Sequence, residues 1–377
     1  MLDRWISTSI AQQVVVGPGA LSTLPEVLKA LGLRRVLLVT TPGRSRSEGA
    51  DGVRRALGRT LAATFDQVER RVPANAVQAG VRHLRGETVD GIVSFGGGAA
   101  IDTAKALAFF FEHESGTPAA GFADRPMLPH VAIPTTLVGA AYTSWFSMID
   151  PATRRSSTAG APTMTPSAVL VEPELGADLS GELLAGSIAA LLGHGIEALW
   201  SPGRTPDSDA LASAGLDRLA SAAAVAVAEP GDIERRGALL DAAVLCGRAR
   251  AQGGDGMHHV LAQLLSARSE VAYGAVHAAL LPATARFTLD VVPQVAARVA
   301  EILAGAVGAA EASVGGAGDA VDALLGSLGP RRGLSDLGFS DDDLDAVARQ
   351  SGSHRGVQIH PRPAGEADVR ALLDDAW

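Results

Sequence analysis

The chain has 377 residues, with 32 basic and 41 acidic side chains, which gives a formal net charge of −9 at pH 7. Proteins that bind DNA or RNA need a basic face to neutralise phosphates, so this balance argues against nucleic acid as a main partner. Hydrophobic residues make up 47% of the chain, which is enough for a sizeable core and excludes general disorder.

We expect no membrane span, because no run of about 18 apolar residues is free of charged or turn residues. The N-terminus lacks the basic-then-apolar layout of a secretory signal. The only cysteine, Cys246, cannot form a disulfide within the chain and excludes a cysteine-based zinc cluster. We therefore expect a soluble cytoplasmic protein, and its length predicts two domains.

The first 155 residues alternate short apolar runs with segments of helical periodicity. Apolar runs bounded by polar or turn residues predict buried strands, at 14–16, 35–40, 63–65, 91–95 and 131–134. The periodic segments predict helices, at 21–31, 74–85 and 100–111. Strands separated by helices predict a parallel sheet covered on both faces, so 1–155 is predicted to be a Rossmann-like α/β domain.

The composition changes after residue 155. The segment 156–167 is rich in Ser, Thr, Ala and Pro and predicts a linker or surface loop. After a last apolar run at 169–171, Ala-rich helical periodicity predicts a series of helices, at 183–200, 207–228, 233–252, 257–266, 274–288, 293–305 and 315–329. We therefore predict an all-α C-terminal domain over 156–377, in which 156–180 is the connecting segment.

Three glycines, Gly96, Gly97 and Gly98, lie between a predicted buried strand and a predicted helix. Glycines let the backbone approach a phosphate, and the helix N-terminus supplies free N–H groups and the positive end of the helix dipole. Asp102 and Lys105 follow three residues apart, where both can face the same ligand, and Lys105 is one of only two lysines in the chain. The pattern favours a dinucleotide site; a tight turn followed by a solvated lysine is the alternative.

This segment is similar to the GGGSxxDxAK motif of the iron-containing alcohol dehydrogenase family, whose fold is shared with dehydroquinate synthase. Three further segments resemble that family's second nucleotide loop, its DPEL segment and its HAxEAL helix, at 134–143, 172–175 and 194–199. The segments 360–363 and 370–377 resemble the maleylacetate reductase branch. The resemblance covers essentially the whole chain and implies a dehydroquinate synthase-like fold, with a Rossmann-like domain followed by an all-α domain.

The resemblance also implies that the chain binds NADH or NADPH. The residues that it assigns to the cofactor lie in the two loops and at the end of the second strand: Gly96, Gly97, Gly98, Asp102, Lys105, Thr135, Thr136, Thr143 and Thr41. Some NAD-specific relatives carry an acidic residue at the position of Thr41, for the ribose 2′-hydroxyl. Because Arg44 and Arg46 follow instead, NADPH is not expected to be repelled; two ordinary surface arginines are the alternative.

The metal-dependent members of the family bind iron or zinc with Asp-x-x-x-His on one helix and two further histidines, ligands that suit these cations. In this chain Ala190 stands at the aspartate position and Tyr273 at the last histidine position, whereas His194 and His259 match the other two. The maleylacetate reductase branch also lacks the full ligand set. We therefore expect that no metal is bound and that reductase activity is retained.

Without a metal, other groups must stabilise the forming alkoxide. The resemblance places His194, His259 and Tyr273 around the former metal position, and we expect these residues and His258 to be catalytic. A histidine can donate the proton that follows hydride transfer, and a tyrosine hydroxyl can donate a hydrogen bond to the alkoxide. The alternative is that the histidines are inherited polar groups in a helical interior.

We expect the substrate to be a small organic anion that contacts four polar side chains, Arg248, Arg250, Gln263 and His277. Arginine binds carboxylates with two parallel hydrogen bonds, and the two arginines lie where the family has mostly small residues. Two alternatives involve Asp255. It could pair with Arg248, or it could rebuild an Asp-x-x-x-His pair with His259 if the helix continues across 253–254.

The leading hypothesis is a metal-independent, NAD(P)H-dependent reductase of maleylacetate or a similar carbonyl or enoyl acid, acting as a homodimer. A second hypothesis assigns a non-redox step, such as cyclisation or lyase chemistry in a biosynthetic pathway. It rests on Gln263 and Ala140-Ala141, which replace a proton-relay histidine and a Ser-Glu pair of the family. A third hypothesis is an inactive homologue that serves as a binding subunit. The retained glycine loop favours cofactor use over both.

Overall fold

The computed structural model describes residues 5–8, 10–115, 126–229, 231–307 and 316–377. The chain forms two compact units. One unit spans Ser9–Asp178, and the other is formed by Leu179–Trp377 together with the N-terminal residues up to Thr8.

The unit Ser9–Asp178 is built around a parallel sheet. The strands of the chain are β1 (Gln13–Val16), β2 (Val36–Thr40), β3 (Leu61–Phe65), β4 (Gly91–Gly96), β5 (His130–Pro134), β6 (Trp145–Asp150), β7 (Arg155–Gly160) and β8 (Ala168–Val171). Six of them pair in the order β1-β8-β5-β4-β2-β3, all parallel, whereas β6 and β7 form an antiparallel pair. The α/β architecture predicted from the sequence is therefore confirmed.

The α-helices in the described part of this unit are α1 (Leu24–Leu31), α2 (Glu48–Leu57), α3 (Ala74–Gly86) and α4 (Gly98–Glu114). The strand β2 is buried along its entire length, as expected for a parallel strand that is covered on both faces. Two apolar clusters cover the faces of the sheet, one including Phe65 and Phe146 and the other including Leu24 and Phe95. The sheet thereby brings the carboxyl ends of β4 and β5 to one edge, where ligands bind in folds of this type.

The predicted linker at 156–167 differs from the structure. Residues Arg155–Gly160 form β7, which pairs with β6 along six residue pairs from Trp145↔Gly160 to Asp150↔Arg155. The residues of β7 are half-buried or exposed, so the strand carries no apolar run that periodicity could detect. Together with β8, this segment belongs to the first unit, so the architecture changes at Asp178–Leu179 and not near residue 155.

The second unit is helical. Its described helices are α5 (Gly181–Trp200), α6 (Pro206–Ala228), α7 (Ile233–Gly253), α8 (Met257–Ser266), α9 (Tyr273–Leu289), α10 (Pro293–Val307), α11 (Gly316–Ser327), α12 (Asp341–Ser351), α13 (Arg355–Gln358) and α14 (Glu366–Asp375). Apolar residues of α8, α9, α12 and α14 form one core cluster that includes Leu261, Leu280, Leu344 and Leu373. The helix α5 is buried along most of its C-terminal half, which carries His194 and Glu197.

Two helices, α5 and α6, are long and apolar enough to cross a membrane by length and composition alone. The expectation from the sequence concerned apolar runs free of charged residues, and α5 is not such a run because it contains Glu182 and Glu197. In the structure 83% of the apolar window of α5 and 44% of that of α6 are buried. A core helix of a soluble protein passes the same test, so these helices are weak evidence for a membrane span.

Candidate functional site

The glycine loop joins β4 to α4. Strand β4 ends at Gly96, Gly97 precedes the first helical residue, and α4 begins at Gly98. A Cβ added to Gly97 would lie 3.0 Å from Thr136 Oγ1, so the second loop closes this side of the glycine loop. Among the described residues, a Cβ added to Gly98 would meet Val138 Cγ1 alone, at 3.9 Å. Ala100 N and Ile101 N donate to Gly97 O, at 3.0 and 3.3 Å, so the N–H groups of Gly98 and Ala99 are the ones that a helix start offers to a ligand, and the open side at Gly98 suits a phosphate.

A threonine hydroxyl lies beside this loop. Thr135 follows β5, and its backbone N–H donates to Gly96 O at 3.0 Å. The side chain is 3% exposed, and its Oγ1 has no hydrogen-bond partner among the described residues. Buried polar atoms are rarely left without a partner, and such an atom next to an open helix N-terminus fits a bound polar ligand. The loops after β4 and β5 therefore fit the pyrophosphate of a dinucleotide.

Lys105 anchors the second loop. Its side chain is buried, and its Nζ donates to Ala140 O, to Thr143 Oγ1 at 3.1 Å and to Trp145 O at 2.9 Å. Asp102 Oδ1 lies 3.7 Å from the same ammonium. The alternative of a solvated lysine is therefore wrong. These contacts hold the loop 140–145 to α4, and the role of Lys105 and Thr143 toward a cofactor stays a prediction.

The residues after β2 contact one another. Thr41 Oγ1 accepts a hydrogen bond from Arg44 N at 3.2 Å. Arg44 Nη1 donates to both carboxylate oxygens of Asp178, at 2.8 and 2.6 Å, and Arg46 Nε donates to Pro42 O at 3.2 Å. Both arginines thus have partners within their unit, and their role toward the 2′-phosphate stays a prediction.

In the helical unit, Glu197 on α5 holds the start of α8. Its Oε2 accepts from Gly256 N at 3.1 Å and its Oε1 accepts from His258 N at 2.7 Å. Oε2 also accepts from His259 Nδ1 at 2.6 Å. The carboxylate therefore caps the N-terminus of α8, where a negative charge is favourable, and orients the His259 ring at the same time.

Four buried imidazoles come together around this carboxylate. The rings of His194 and His259 are stacked, with centroids 4.2 Å apart and an angle of 15° between the planes. His258 Nε2 lies 2.7 Å from His277 Nδ1, and His258 Nδ1 lies 2.9 Å from Thr284 Oγ1. The close approach of α5 to His258 requires Gly193, because a Cβ there would lie 2.7 Å from His258 Cδ2.

The charges of this cluster follow from its burial. Burial lowers the pKa of His258 to about 3, and it lowers the pKa values of His194 and His277 well below their ordinary range. These three rings are therefore neutral at pH 7. Burial alone would raise the pKa of Glu197, but the charge of His259 and its hydrogen bond lower that pKa overall. Glu197 is therefore the ionised group of the cluster.

The described residues do not fit an iron or zinc ion. A ligand nitrogen must lie about 2.0–2.1 Å from the metal, with its lone pair in the ring plane. The planes of His194 and His259 are nearly parallel, so one ion cannot lie in both. Ala190 has no ligand atom, and the described residues contain no group of three or more His, Cys, Asp or Glu side chains arranged around a common ion.

Of the other predicted site residues, Tyr273 lies next to the cluster. Its ring, 44% exposed, packs edge-on against His277 with a centroid distance of 4.4 Å. Gln263 is half-buried on α8. The structure therefore brings His194, His258 and His259 together with His277 and Tyr273.

Both alternatives that involve Asp255 are wrong. Arg248 is exposed on α7, and the partner of Asp255 is Arg250, whose Nε lies 2.5 Å from Asp255 Oδ1. Asp255 cannot form an Asp-x-x-x-His pair with His259, because α7 ends at Gly253 and α8 begins only at Met257. Gly254, with φ of 77°, ends the helix.

Sequence reasoning missed Glu197 and Thr284. Glu197 lies in the HAxEAL-like helix that carried the resemblance, three residues after His194, and that spacing is the signal that could have found it. Thr284 lies seven residues after His277, on the same face of α9, and nothing local distinguishes it from a core threonine.

Comparison with known proteins agrees with this architecture. Residues 11–173 match the family model described as iron-containing alcohol dehydrogenase, and residues 184–377 match that of the C-terminal domain of the Fe-containing alcohol dehydrogenase family. Maleylacetate reductase 2 of Cupriavidus pinatubonensis is 31% identical over 376 residues, which cover 100% of this chain and 97% of that protein. An NAD-dependent methanol dehydrogenase of Bacillus methanolicus is 27% identical over 377 residues, covering 96% of this chain and 97% of the relative.

Solved structures of other proteins have the same fold. The crystal structure of maleylacetate reductase from Rhizobium sp. strain MTP-10005 superposes with a TM-score of 0.84 at 27% identity, covering 100% of this chain and 99% of that one. A 1,3-propanediol oxidoreductase superposes with a TM-score of 0.88 at 25% identity, covering 99% and 100% of the two chains. Since the matching family models span nearly the whole sequence, the chain belongs to the iron-containing alcohol dehydrogenase family.

Proposed function

We propose that the protein is an NAD(P)H-dependent reductase of maleylacetate or of a similar small anionic carbonyl or enoyl acid. Full-length similarity to maleylacetate reductases supports the substrate class. The observation that carries the proposal is the buried pair of Glu197 and His259, because an ionised carboxylate that orients an imidazole is a common device for proton transfer.

The glycine loop and Thr135 are the residues that would hold the pyrophosphate of the cofactor. Bound there, NADH or NADPH supplies the hydride. The N–H groups at the start of α4 would neutralise the phosphates, and the open side at Gly98 leaves room for them. Lys105 keeps the second loop in place through its three oxygen partners. Arg44 and Arg46 are proposed to favour NADPH through the 2′-phosphate.

His259 is proposed to donate the proton that completes the reduction. Its Nδ1 is held by Glu197, so the opposite nitrogen, Nε2, is the one that can serve the substrate, and Nε2 has no hydrogen-bond partner among the described residues. The hydrogen bond from Nδ1 to the ionised Glu197 fixes the orientation of the ring, so Nε2 points to one defined position. Tyr273 is proposed to donate a hydrogen bond to the forming oxyanion.

Arg250 is proposed to bind a carboxylate of the substrate. Its side chain is 13% exposed, and its charge contributes to lowering the pKa values of His194 and His277 after burial, so it lies close to the cluster. Asp255 orients one side of the guanidinium, which has five N–H donors in total. The exposed Arg248 has no part in this proposal.

We also propose that the reduction requires no metal. Support comes from the parallel stacking of His194 and His259 and from Ala190, which together leave no common position for an ion. The catalytic electrostatics are then assigned to His259, Tyr273 and Arg250, which supply the hydrogen bonds and positive charge that a cation would otherwise supply.

A steady-state assay tests this function. Purified protein, dialysed against a chelator and analysed for bound elements, is mixed with maleylacetate and either NADH or NADPH, and the loss of the reduced nicotinamide is followed. We expect turnover without stoichiometric iron or zinc. Methanol and 1,3-propanediol with the oxidised cofactors serve as comparison substrates. Turnover that appears only after iron or zinc is added would contradict metal independence. Cofactor binding without any redox turnover would favour the non-redox hypothesis instead.

A further inference from the structure

Three side chains of the helical unit form a hydrogen-bonded chain from Thr284 through His258 to His277. The distances are 2.9 Å from Thr284 Oγ1 to His258 Nδ1 and 2.7 Å from His258 Nε2 to His277 Nδ1. All three side chains are nearly or completely buried, with exposures of 1%, 4% and 0%. No water is needed to connect them, so the direction of each bond depends on the donors and acceptors of the three groups.

The hydroxyl of Thr284 has one proton and more than one acceptor within reach. Thr284 Oγ1 also lies 3.2 Å from Leu280 O and 3.1 Å from Leu281 O. Carbonyl oxygens only accept, so when the hydroxyl proton goes to one of them, Oγ1 accepts from His258 Nδ1. In that arrangement His258 carries its proton on Nδ1 and its Nε2 is an acceptor. His277 then donates from Nδ1, which leaves a lone pair on its Nε2.

That lone pair has no partner. His277 Nε2 is buried and has no hydrogen-bond partner among the described residues. The ring contacts Tyr273, which is 44% exposed, so His277 is the member of the chain that lies next to an exposed group. A buried acceptor without a donor is costly unless a ligand supplies the donor.

We propose that Thr284 is a positioning residue that, through His258, makes His277 Nε2 a hydrogen-bond acceptor for an O–H group of the substrate, as in an enol, a hydrate or an alcohol. The ligand part of this inference rests on the proposed function. His277 thereby complements His259, which acts as a donor. A bare nitrogen lone pair repels carboxylate oxygens, so the carboxylate of the substrate is directed away from His277 and toward the arginine of the site, Arg250.

Three forms of position 284 test this inference: the natural threonine, Thr284→Ser and Thr284→Val. Serine keeps the hydroxyl, whereas valine keeps the branched shape and removes the acceptor for His258. Without that acceptor, a proton on His258 Nε2 gains a partner in His277 Nδ1, and the proton of His277 moves to Nε2. The substitution to valine therefore reverses the direction of the hydrogen bond between His258 and His277 and turns His277 Nε2 from an acceptor into a donor.

The first readout is the nitrogen NMR spectrum of the protein labelled in its nine histidines. Ring-nitrogen shifts distinguish the two neutral tautomers, and His258→Gln and His277→Gln assign the signals. We expect His277 to be protonated at Nδ1 in the natural protein and in Thr284→Ser, and at Nε2 in Thr284→Val. A natural protein with His277 protonated at Nε2 overturns the inference, and this result needs no valine variant. An unchanged tautomer in Thr284→Val also overturns it.

The second readout is the steady-state kinetics with maleylacetate. Loss of one hydrogen bond to the substrate corresponds to a rise in KM of about ten-fold in Thr284→Val, with kcat changing less. In Thr284→Ser we expect KM to stay close to that of the natural protein. A tautomer change without a change in KM overturns the role in substrate recognition. The NMR experiment requires no turnover, so a protein that reduces no substrate would contradict the proposed function while the tautomer test still decides the role of Thr284.

Discussion

The substitution Glu197→Gln tests the carboxylate that holds the histidine cluster. In the structure Glu197 accepts hydrogen bonds from Gly256 N, His258 N and His259 Nδ1. Glutamine has almost the same shape, but it loses the negative charge and places an NH2 group where one carboxylate oxygen accepted. At least one of the three N–H donors then faces another donor in a buried place.

The expected loss of stability is large for one substitution of nearly equal volume. Leaving a buried hydrogen-bond donor without an acceptor costs about 1–3 kcal/mol. We therefore expect Glu197→Gln to lower the free energy of unfolding at pH 7 by at least about 1–3 kcal/mol. The pKa of Glu197 is lowered in the folded state, so its stabilisation is present above the pKa of the unfolded carboxyl group. It is lost as the pH falls through the folded pKa, and the natural protein and the variant then converge.

Denaturant titration at several pH values measures this difference, with Glu182→Gln as the matched control. Glu182 lies on the same helix, but its side chain is 75% exposed and its partner Arg332 is 3.5 Å away. An exposed pair of this kind contributes about 0–1 kcal/mol, so the control should unfold nearly like the natural protein. If Glu197→Gln unfolds like Glu182→Gln, then the carboxylate does not hold the cluster and our account of His259 is wrong.

Three further predictions concern other parts of the chain. Burial lowers the pKa of His130 to about 3, so the folded protein loses stability as the pH falls below about 6.5, the pKa of an unfolded histidine. Denaturant titration should show that His130→Gln loses about 2 kcal/mol less free energy of unfolding than the natural protein between pH 6.5 and pH 5. Lys105→Met should raise the dissociation constants of NADH and NADPH at least about ten-fold in fluorescence titration, because the second loop loses its anchor. The control Lys29→Met, on the exposed face of α1, should leave both constants unchanged. Equal affinities in the two variants would contradict the anchoring role. Replacing Arg44 and Arg46 together with alanine should weaken NADPH more than NADH in the same titration, and an equal loss would exclude the 2′-phosphate role.

The secondary structure around the glycine loop could be predicted from local sequence. The glycine loop, the strand before it and the helix after it are neighbours in the chain, and their boundaries lie within a few residues of the prediction. Strand β7 was missed because its half-buried and exposed residues give no apolar periodicity. Lys105 was singled out by composition, but its partners after residue 139 depend on the folded arrangement of two loops.

The histidine site shows where local spacing fails. His259 and Asp255 have helical spacing in the sequence, yet Gly254 ends α7 and the carboxylate partner of His259 is Glu197, 62 residues earlier. Likewise, Asp255 pairs with Arg250 and not with Arg248. In both cases the pairing is fixed by how helices meet in space, which one sequence without tertiary information cannot provide.

The central claim is that His259, held by Glu197, donates the proton in a reduction that depends on a nicotinamide cofactor. Single-turnover measurements with maleylacetate and the preferred cofactor compare the natural protein with His259→Gln. We expect the rate to fall by about 100- to 10,000-fold while the dissociation constant of the cofactor stays nearly unchanged. Tyr273→Phe, which removes one hydrogen-bond donor to the oxyanion, should lower the rate by about 100- to 1,000-fold. A normal rate in His259→Gln would contradict the account and would identify the histidines as inherited polar groups of a helical interior.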